Sequence, residues 1–473
     1  RWELAEKTFD KPVVIVTQEE ATAKESSFSD QKKTWKFKAQ NVRDFGFSTS
    51  RKFIIDAMAV DLPTNKPLAI SIYPKEANPL WGDLSTKAVA HTLKTYSHYT
   101  FDYPYPKAVS ISAEDQGMEY PMICWNYGRP DETGFVSDRI KYGMLGVIIH
   151  EVGHNFFPMI VNSDERQWTW MDEGLNTFLE YLTETTFDPN FPATRGPAKN
   201  IVPYMKGNQQ YLEPIMSNSE NIYNFGANAY GKPATGLNIL RETIMGHELF
   251  DHAFKTYANR WKFKHPTPED FFRTMEDASA VDLDWFWRGW FYSTDVTDIA
   301  VKDVKQYYVI EQDPKEAKAQ FNRRGRKIGD ENQPMLKMVL EGSTEFKPEL
   351  KNGFDYSKVQ ALNDYLNKNY TAEEISKLST PKFFYEVEFA KPGGLIMPII
   401  VELQFEDGTS EIQTFPAQIW RRNNETAKRV FATEKKVVKI QLDPKLETAD
   451  VDVTNNFWPN GAVESKFDSL EKK

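Results

Sequence analysis

The segment His150-Glu151-Val152-Gly153-His154, followed after 18 intervening residues by Glu173, constrains this chain more than any other feature. Four residues are slightly more than one helical turn, so two histidines at that spacing project from nearly the same face. Each imidazole can give one nitrogen to a metal, and a catalytic zinc takes three protein ligands and leaves a fourth position to water. Glu151 lies next to that face, where a carboxylate can take a proton from the water the metal holds. Glu173, set in Trp170-Met171-Asp172-Glu173-Gly174, supplies the third ligand from a second helix. The cofactor this spacing calls for is one zinc ion per chain. A core helix that happens to carry two histidines would leave the correctly spaced glutamate unaccounted for. The other histidines, His91, His98, His247, His252 and His265, show no paired metal spacing and read as structural or exposed.

At 473 residues, two or three domains are expected, and 40% apolar and 14% aromatic residues are ample for large cores. A net charge of -10 without a long Lys/Arg cluster argues against a nucleic-acid partner. The short basic piece Arg323-Arg324-Gly325-Arg326-Lys327 reads as a solvated loop. The lone Cys124 excludes an internal disulfide and reads as a small buried apolar residue rather than a catalytic thiol. No run approaches the roughly 18 apolar residues of a membrane span. The chain opens at Arg1 without a signal-peptide pattern, so a processed segment is expected.

Residues 1–60 read as β-rich and incomplete, with strands expected at Pro12–Thr17, Thr34–Ala39 and Phe53–Val60. They are expected to be the remnant of an N-terminal β-sandwich whose earlier strands lie upstream. Residues 61–297 alternate strands (Leu68–Tyr73, Ala108–Ser112) with helices at 86–99, 139–156, 173–186 and 230–246, and helices dominate after residue 139. Residues 298–473 return to strands, near 334–342, 382–390, 395–405, 412–415 and 436–442, a β-sandwich signature with a helical insertion at Tyr356–Leu378. The fold class is multidomain α+β. Proteolysis is expected near 313–333, where charged residues cluster without periodicity.

The metal spacing resembles the gluzincin metallopeptidases, and the glutamate in Asp-Glu-Gly resembles their aminopeptidase N family. Two further stretches are similar to that family. Gln116-Gly117-Met118-Glu119-Tyr120-Pro121 resembles its Gly-x-Met-Glu-Asn exopeptidase motif, although Gln116 and Tyr120 stand in place of Gly and Asn. The resemblance implies that Glu119 binds the free α-amino group, with Gly117 and Met118 beside the substrate. A fixed anion paired with an ammonium would set the first peptide bond over the metal. Ala229-Tyr230-Gly231-Lys232-Pro233 resembles the family's Tyr-x-Lys-Gly segment, which implies that the Tyr230 hydroxyl stabilises the oxyanion. Pro233 replaces Gly there, and proline is acceptable in a first helical turn. Asp282 to Phe291 looks like the family's Trp-rich closing helix. Specific resemblance covers roughly residues 100–297. It implies a thermolysin-like, mostly helical catalytic domain and a secreted or periplasmic location.

Glu180 lies seven residues beyond Glu173 and returns to the same helix face. It could bond a ligand histidine from behind the metal or be a solvated carboxylate. The expected activity is zinc-dependent removal of N-terminal residues from peptides with a free N-terminus. Two alternatives stay open: an endopeptidase on the same scaffold, and a catalytically silent binding module.

Overall fold

The structure is a computed structural model of the full chain, described here for residues 1–114, 117–312, 335–378 and 380–459. The chain divides into two compact units, Arg1–Asp295 and Val296–Lys473.

The first unit is built on a six-stranded sheet ordered β1-β2-β3-β4-β6-β5. Its strands are β1 (Val13–Val16), β2 (Ile54–Ala59), β3 (Leu68–Tyr73), β4 (Lys107–Ser112), β5 (Met118–Tyr120) and β6 (Ile123–Asn126). β3, β4 and β6 run parallel, while β1, β2 and β5 pair antiparallel with their neighbours. Parallel strands need a long crossover, and the helix Leu80–Tyr99 provides it between β3 and β4. Its buried Trp81, Val89, Leu93 and Tyr96 face the core. Both faces of the central strands are covered, so they read as near-continuous apolar runs rather than as an alternation. Ala5, Ile15, Ala57, Ile70, Val109 and Ile111 form one such buried layer.

This sheet alters the division expected at residue 60. β1 and β2 are strands of the same sheet that carries β3 to β6, because Ile54, Ala57, Met58 and Ala59 are buried there. The strand expected at Thr34–Ala39 is absent, and the stretch has no regular structure. Trp35 and Phe37 are 75% and 65% exposed. Alternation makes a strand only where a sheet edge is available to pair with it, and none takes up these residues.

After β6 the first unit is helical. The helix Asp138–Gly153 starts on Ser137, whose hydroxyl accepts from the Ile140 N–H at 3.3 Å. The helix Glu173–Phe187 packs against it, and Pro268–Ser279 and Asp284–Trp290 close the unit. Trp170, Phe271, Phe272, Trp287 and Phe291 stack into one aromatic cluster there.

The second unit holds two four-stranded sheets. One is ordered β12-β9-β7-β8, from β7 (Ala300–Gln312), β8 (Met335–Leu340), β9 (Phe383–Ala390) and β12 (Thr426–Thr433). The other is ordered β11-β10-β13-β14, from β10 (Ile399–Phe405), β11 (Ser410–Phe415), β13 (Val437–Leu442) and β14 (Phe457–Trp458). The Tyr385 hydroxyl on β9 accepts from the Val437 N–H on β13 at 2.9 Å, a bond from sheet to sheet. Short helices at Gln360–Asn369 and Ala372–Ser376 fall within the expected insertion. The basic piece at 323–327, the expected cleavage stretch 313–333 and Gln116 lie outside the described residues. Among the described residues, no helix is long and apolar enough to cross a membrane.

Candidate active site

Three donor atoms converge where the helix Asp138–Gly153 crosses the start of the helix Glu173–Phe187. His150 Nε2 lies 3.0 Å from His154 Nε2 and 3.1 Å from Glu173 Oε2, and His154 Nε2 lies 3.3 Å from the same oxygen. A tetrahedral zinc about 2.0–2.1 Å from each donor would separate the donors by roughly 3.4 Å, close to this spacing. Among the described residues, only two clusters could hold a metal: this triad, and Glu119, Glu151 and His154. None of the other five histidines belongs to either.

The triad depends on how the two helices are joined. The Asn176 side-chain amide donates to the His150 carbonyl at 2.9 Å, and its oxygen accepts from the buried Tyr96 hydroxyl at 2.8 Å. Gly153 allows this approach, since a Cβ there would collide with Asn176 and Tyr96. Glu173 opens its helix, where the N-terminal dipole favours a carboxylate.

A second layer orients the imidazoles. His150 Nδ1 is 2.9 Å from Glu180 Oε2, and the Glu180 side chain is 13% exposed. Glu180 is therefore a histidine partner, not a solvated carboxylate. His154 Nδ1 lies 2.8 Å from the Phe157 carbonyl and 3.0 Å from Asp172 Oδ1. Such outer contacts fix the tautomer that leaves Nε2 free for a metal.

Glu119 reaches the site from β5. It pairs with Cys124 across the β5–β6 ladder, so its side chain leaves the sheet on the buried face that Cys124 occupies. A ligand atom of Glu119 lies within 4.8 Å of those of Glu151 and His154. Asn155 sets the height of this strand: its side-chain oxygen accepts from the Met122 N–H, in the β5–β6 turn, at 2.8 Å. Gly117 lies so close to Glu151 that a Cβ would strike the carboxylate, whereas Met118 points out to solvent on the opposite face from Glu119. Tyr230 arrives from the π-helical turn Gly226–Gly231 and donates its hydroxyl to Glu173 Oε1 at 2.6 Å. Helix bulges of this kind often re-aim a functional side chain.

The electrostatics are those of a cation site. Burial alone would lower His150, but Glu180 and Glu173 outweigh it and push the imidazole up to about 10. Burial also lowers His154, and Glu119, Asp172 and Glu173 more than reverse that. Burial would raise Glu173, but the two histidines hold it well below the usual carboxylate range. Burial pushes Asp172 up to about 8 and Glu151 up to about 7. A field that favours protonated imidazoles favours a divalent cation more strongly, and one ion would satisfy both Nε2 lone pairs and the carboxylate together. Glu151 Oε2 is buried with no hydrogen-bond partner, an orphan that a water held at the triad would satisfy. The residues present fit zinc. By contrast, burial pushes the Cys124 thiol far up, so it supplies no thiolate.

All nine residues singled out in the sequence lie in this neighbourhood except that Met118 turns away from it. Asn155, Asp172, Asn176 and Arg195 were not singled out. Arg195 places its guanidinium 4.5 Å from the centroid of the Tyr230 ring. Asp172 and Asn155 flank the metal motif directly, which was the available signal; nothing in the sequence marks Arg195.

Residues 85–290 match the Peptidase family M1 domain. Aminopeptidase 2, mitochondrial, from Saccharomyces cerevisiae is 21% identical over 255 residues, 49% of this chain and 25% of the relative. Glutamyl aminopeptidase from Rattus norvegicus is 24% identical over 229 residues, 46% of this chain and 24% of the relative. The chain thus spans about a quarter of the length of these relatives. In fold it is similar to the solved Legionella pneumophila aminopeptidase A in complex with aspartic acid, with a TM-score of 0.52 at 13% identity, covering 84% of this chain and 38% of that one. The similarity to the peptidase family M1 domain thus lies on residues 85–290, the stretch that carries Glu119, Glu151, Tyr230 and the donor triad.

Proposed function

We propose that this chain is a zinc-dependent aminopeptidase that hydrolyses the first peptide bond of substrates with a free N-terminus. His150, His154 and Glu173 would hold the ion. Zinc bound there supplies Lewis-acid polarisation of the scissile carbonyl and lowers the pKa of its water. The chain's own groups do the rest. Glu151, buried and with its pKa raised to about 7, takes the proton of the attacking water and returns it to the departing amine. The Tyr230 hydroxyl transfers its hydrogen bond from Glu173 to the oxyanion as charge develops. Glu119 pairs with the substrate ammonium and so fixes which bond lies over the triad. The Glu180 carboxylate and the Phe157 carbonyl hold the two histidines in register.

One observation favours an exopeptidase over the endopeptidase alternative: Glu119 converges with Glu151 and His154 from a separate element, a carboxylate the hydrolytic step does not itself need. The silent-module alternative is disfavoured because the ligands, base and tyrosine converge. In architecture, the reading places a thermolysin-like catalytic domain in the first unit and a β-sandwich in residues 296–473. The test compares matched peptides with free and acetylated N-termini. The free peptide is expected to turn over and the acetylated one to be nearly inert; equal rates would favour the endopeptidase.

A further inference from the structure

We propose that Arg195 anchors a substrate carboxylate on the leaving-group side of the scissile bond, so that the preferred substrates are short peptides ending, or carrying an acidic side chain, just beyond that bond. This rests on the aminopeptidase reading of the same site. A cleft of about 600 Å³ opens beside His150 of the metal triad, lined by Gly117, Glu151 and Tyr230 and by Arg139, Glu184 and Arg195. Glu119 does not line it, and instead clusters with Glu151 and His154. With the substrate ammonium at Glu119, the cleft past His150 is left for the residues that follow the cleaved bond.

Arg195 is held rather than free to wander. It sits between the helix Glu173–Phe187 and the helix Ala198–Met205, and Gly196 follows it at φ 104°, a conformation few other residues adopt. The Gly196 backbone lies against the Tyr181 ring so closely that a Cβ would fall 2.5 Å from it. The guanidinium then lies 4.5 Å from the Tyr230 ring centroid, a cation–π contact beside the oxyanion donor. Its charge has no ion-pair partner among the described residues. Of the acidic groups lining the cleft besides Glu151, Glu180 is engaged by His150 Nδ1, and Glu184 is buried and feels Arg195 only at a distance. A planar guanidinium in this setting matches a carboxylate with two parallel hydrogen bonds, and Arg139 adds a second positive charge to the same cleft. One extended residue spans about 3.3–3.6 Å, so the group reached from the bond at Tyr230 is that of the first residue past it.

The experiment measures kcat/KM for a dipeptide as free acid and as C-terminal amide, and for a blocked-C-terminus pair carrying Asp or Asn after the bond. The first pair reads the terminal carboxylate and the second reads the side chain. Wild type is expected to favour the carboxylate member of at least one pair by about tenfold or more. Arg195→Gln should bring that ratio near one, and Arg195→Lys should keep part of it. Ratios near one in wild type, or ratios that survive Arg195→Gln, overturn the proposal. Calorimetric binding of the same peptides to Glu151→Gln separates the two readings. Carboxylate-selective binding that depends on Arg195 without wild-type hydrolysis would sink the peptidase reading and leave the anchor standing. Hydrolysis with no carboxylate preference would do the reverse.

Discussion

Tyr230 and Glu173 share a hydrogen bond of 2.6 Å that, in the proposed mechanism, is exchanged for one to the oxyanion. Because that second bond strengthens only as charge develops, Tyr230→Phe should lower kcat by about 10²–10³-fold with little change in substrate affinity. Steady-state kinetics check this, and an equal loss in KM would mark Tyr230 as a binding group instead. Glu119→Ala should cost about 2–4 kcal/mol in kcat/KM on free peptides and leave zinc content unchanged, since in the proposed mechanism its charge pairs with the substrate amine. If free and acetylated peptides were cleaved at the wild-type rate by this variant, Glu119 would be an ordinary carboxylate. At this scale the sequence was legible where chemistry and spacing coincide. His150, His154 and Glu173 are joined by helical geometry and a fixed gap. Glu180 could not be decided from its heptad spacing, because burial and the 2.9 Å contact to His150 are products of how two helices pack. Asn176 was invisible for a related reason. An asparagine that bridges elements has no local pattern, and its partners, Tyr96 and His150, lie far away in the chain.

At the level of elements, the crossing of the two ligand-bearing helices is the sensitive point. Gly153→Ala puts a methyl into Asn176 and Tyr96 and should cost about 1–3 kcal/mol, as overpacking does. For a unit of this size that corresponds to a fall of roughly 2–12 °C in melting temperature, accompanied by weaker zinc binding. An unchanged melting profile together with full metal affinity would show that the helices have slack this account denies. Strands with strong local signals were read within a residue or two: Leu68–Tyr73, the region around Phe383–Ala390 and that around Val437–Leu442. The error at Thr34–Ala39 has a physical origin. Its alternation of Trp35, Lys36, Phe37 and Lys38 satisfies the strand pattern, but pairing is a tertiary event that no local pattern guarantees.

For the molecule as a whole, the division at 295/296 follows from which strands share a sheet, and β1 and β2 belong with β3. The sequence could not show this, since short strands do not advertise their partners. Within the second unit, Asp450 accepts from the Ile299 and Asp452 N–H groups and from the Asn456 amide. Burial nevertheless pushes its pKa up to about 6. A carboxyl raised in the folded state binds its proton more tightly there than when unfolded, so its contribution to stability falls as pH rises from about 4 to about 6. Relative to Asp450→Asn, the wild-type unit should therefore gain about 2 kcal/mol on going from about pH 7.5 to about pH 4.5. Hydrogen exchange of β10 amides at both pH values measures this, and a difference that did not vary with pH would contradict it. The central claim, that His150, His154 and Glu173 form a zinc site that performs amide hydrolysis, meets its most direct test in a titration of chelator-stripped protein with Zn²⁺, reading amino-acid-anilide hydrolysis. Activity should be absent at the start, rise linearly and break at one equivalent per chain; hydrolysis that persists without zinc, or that never appears as zinc is added, would contradict it.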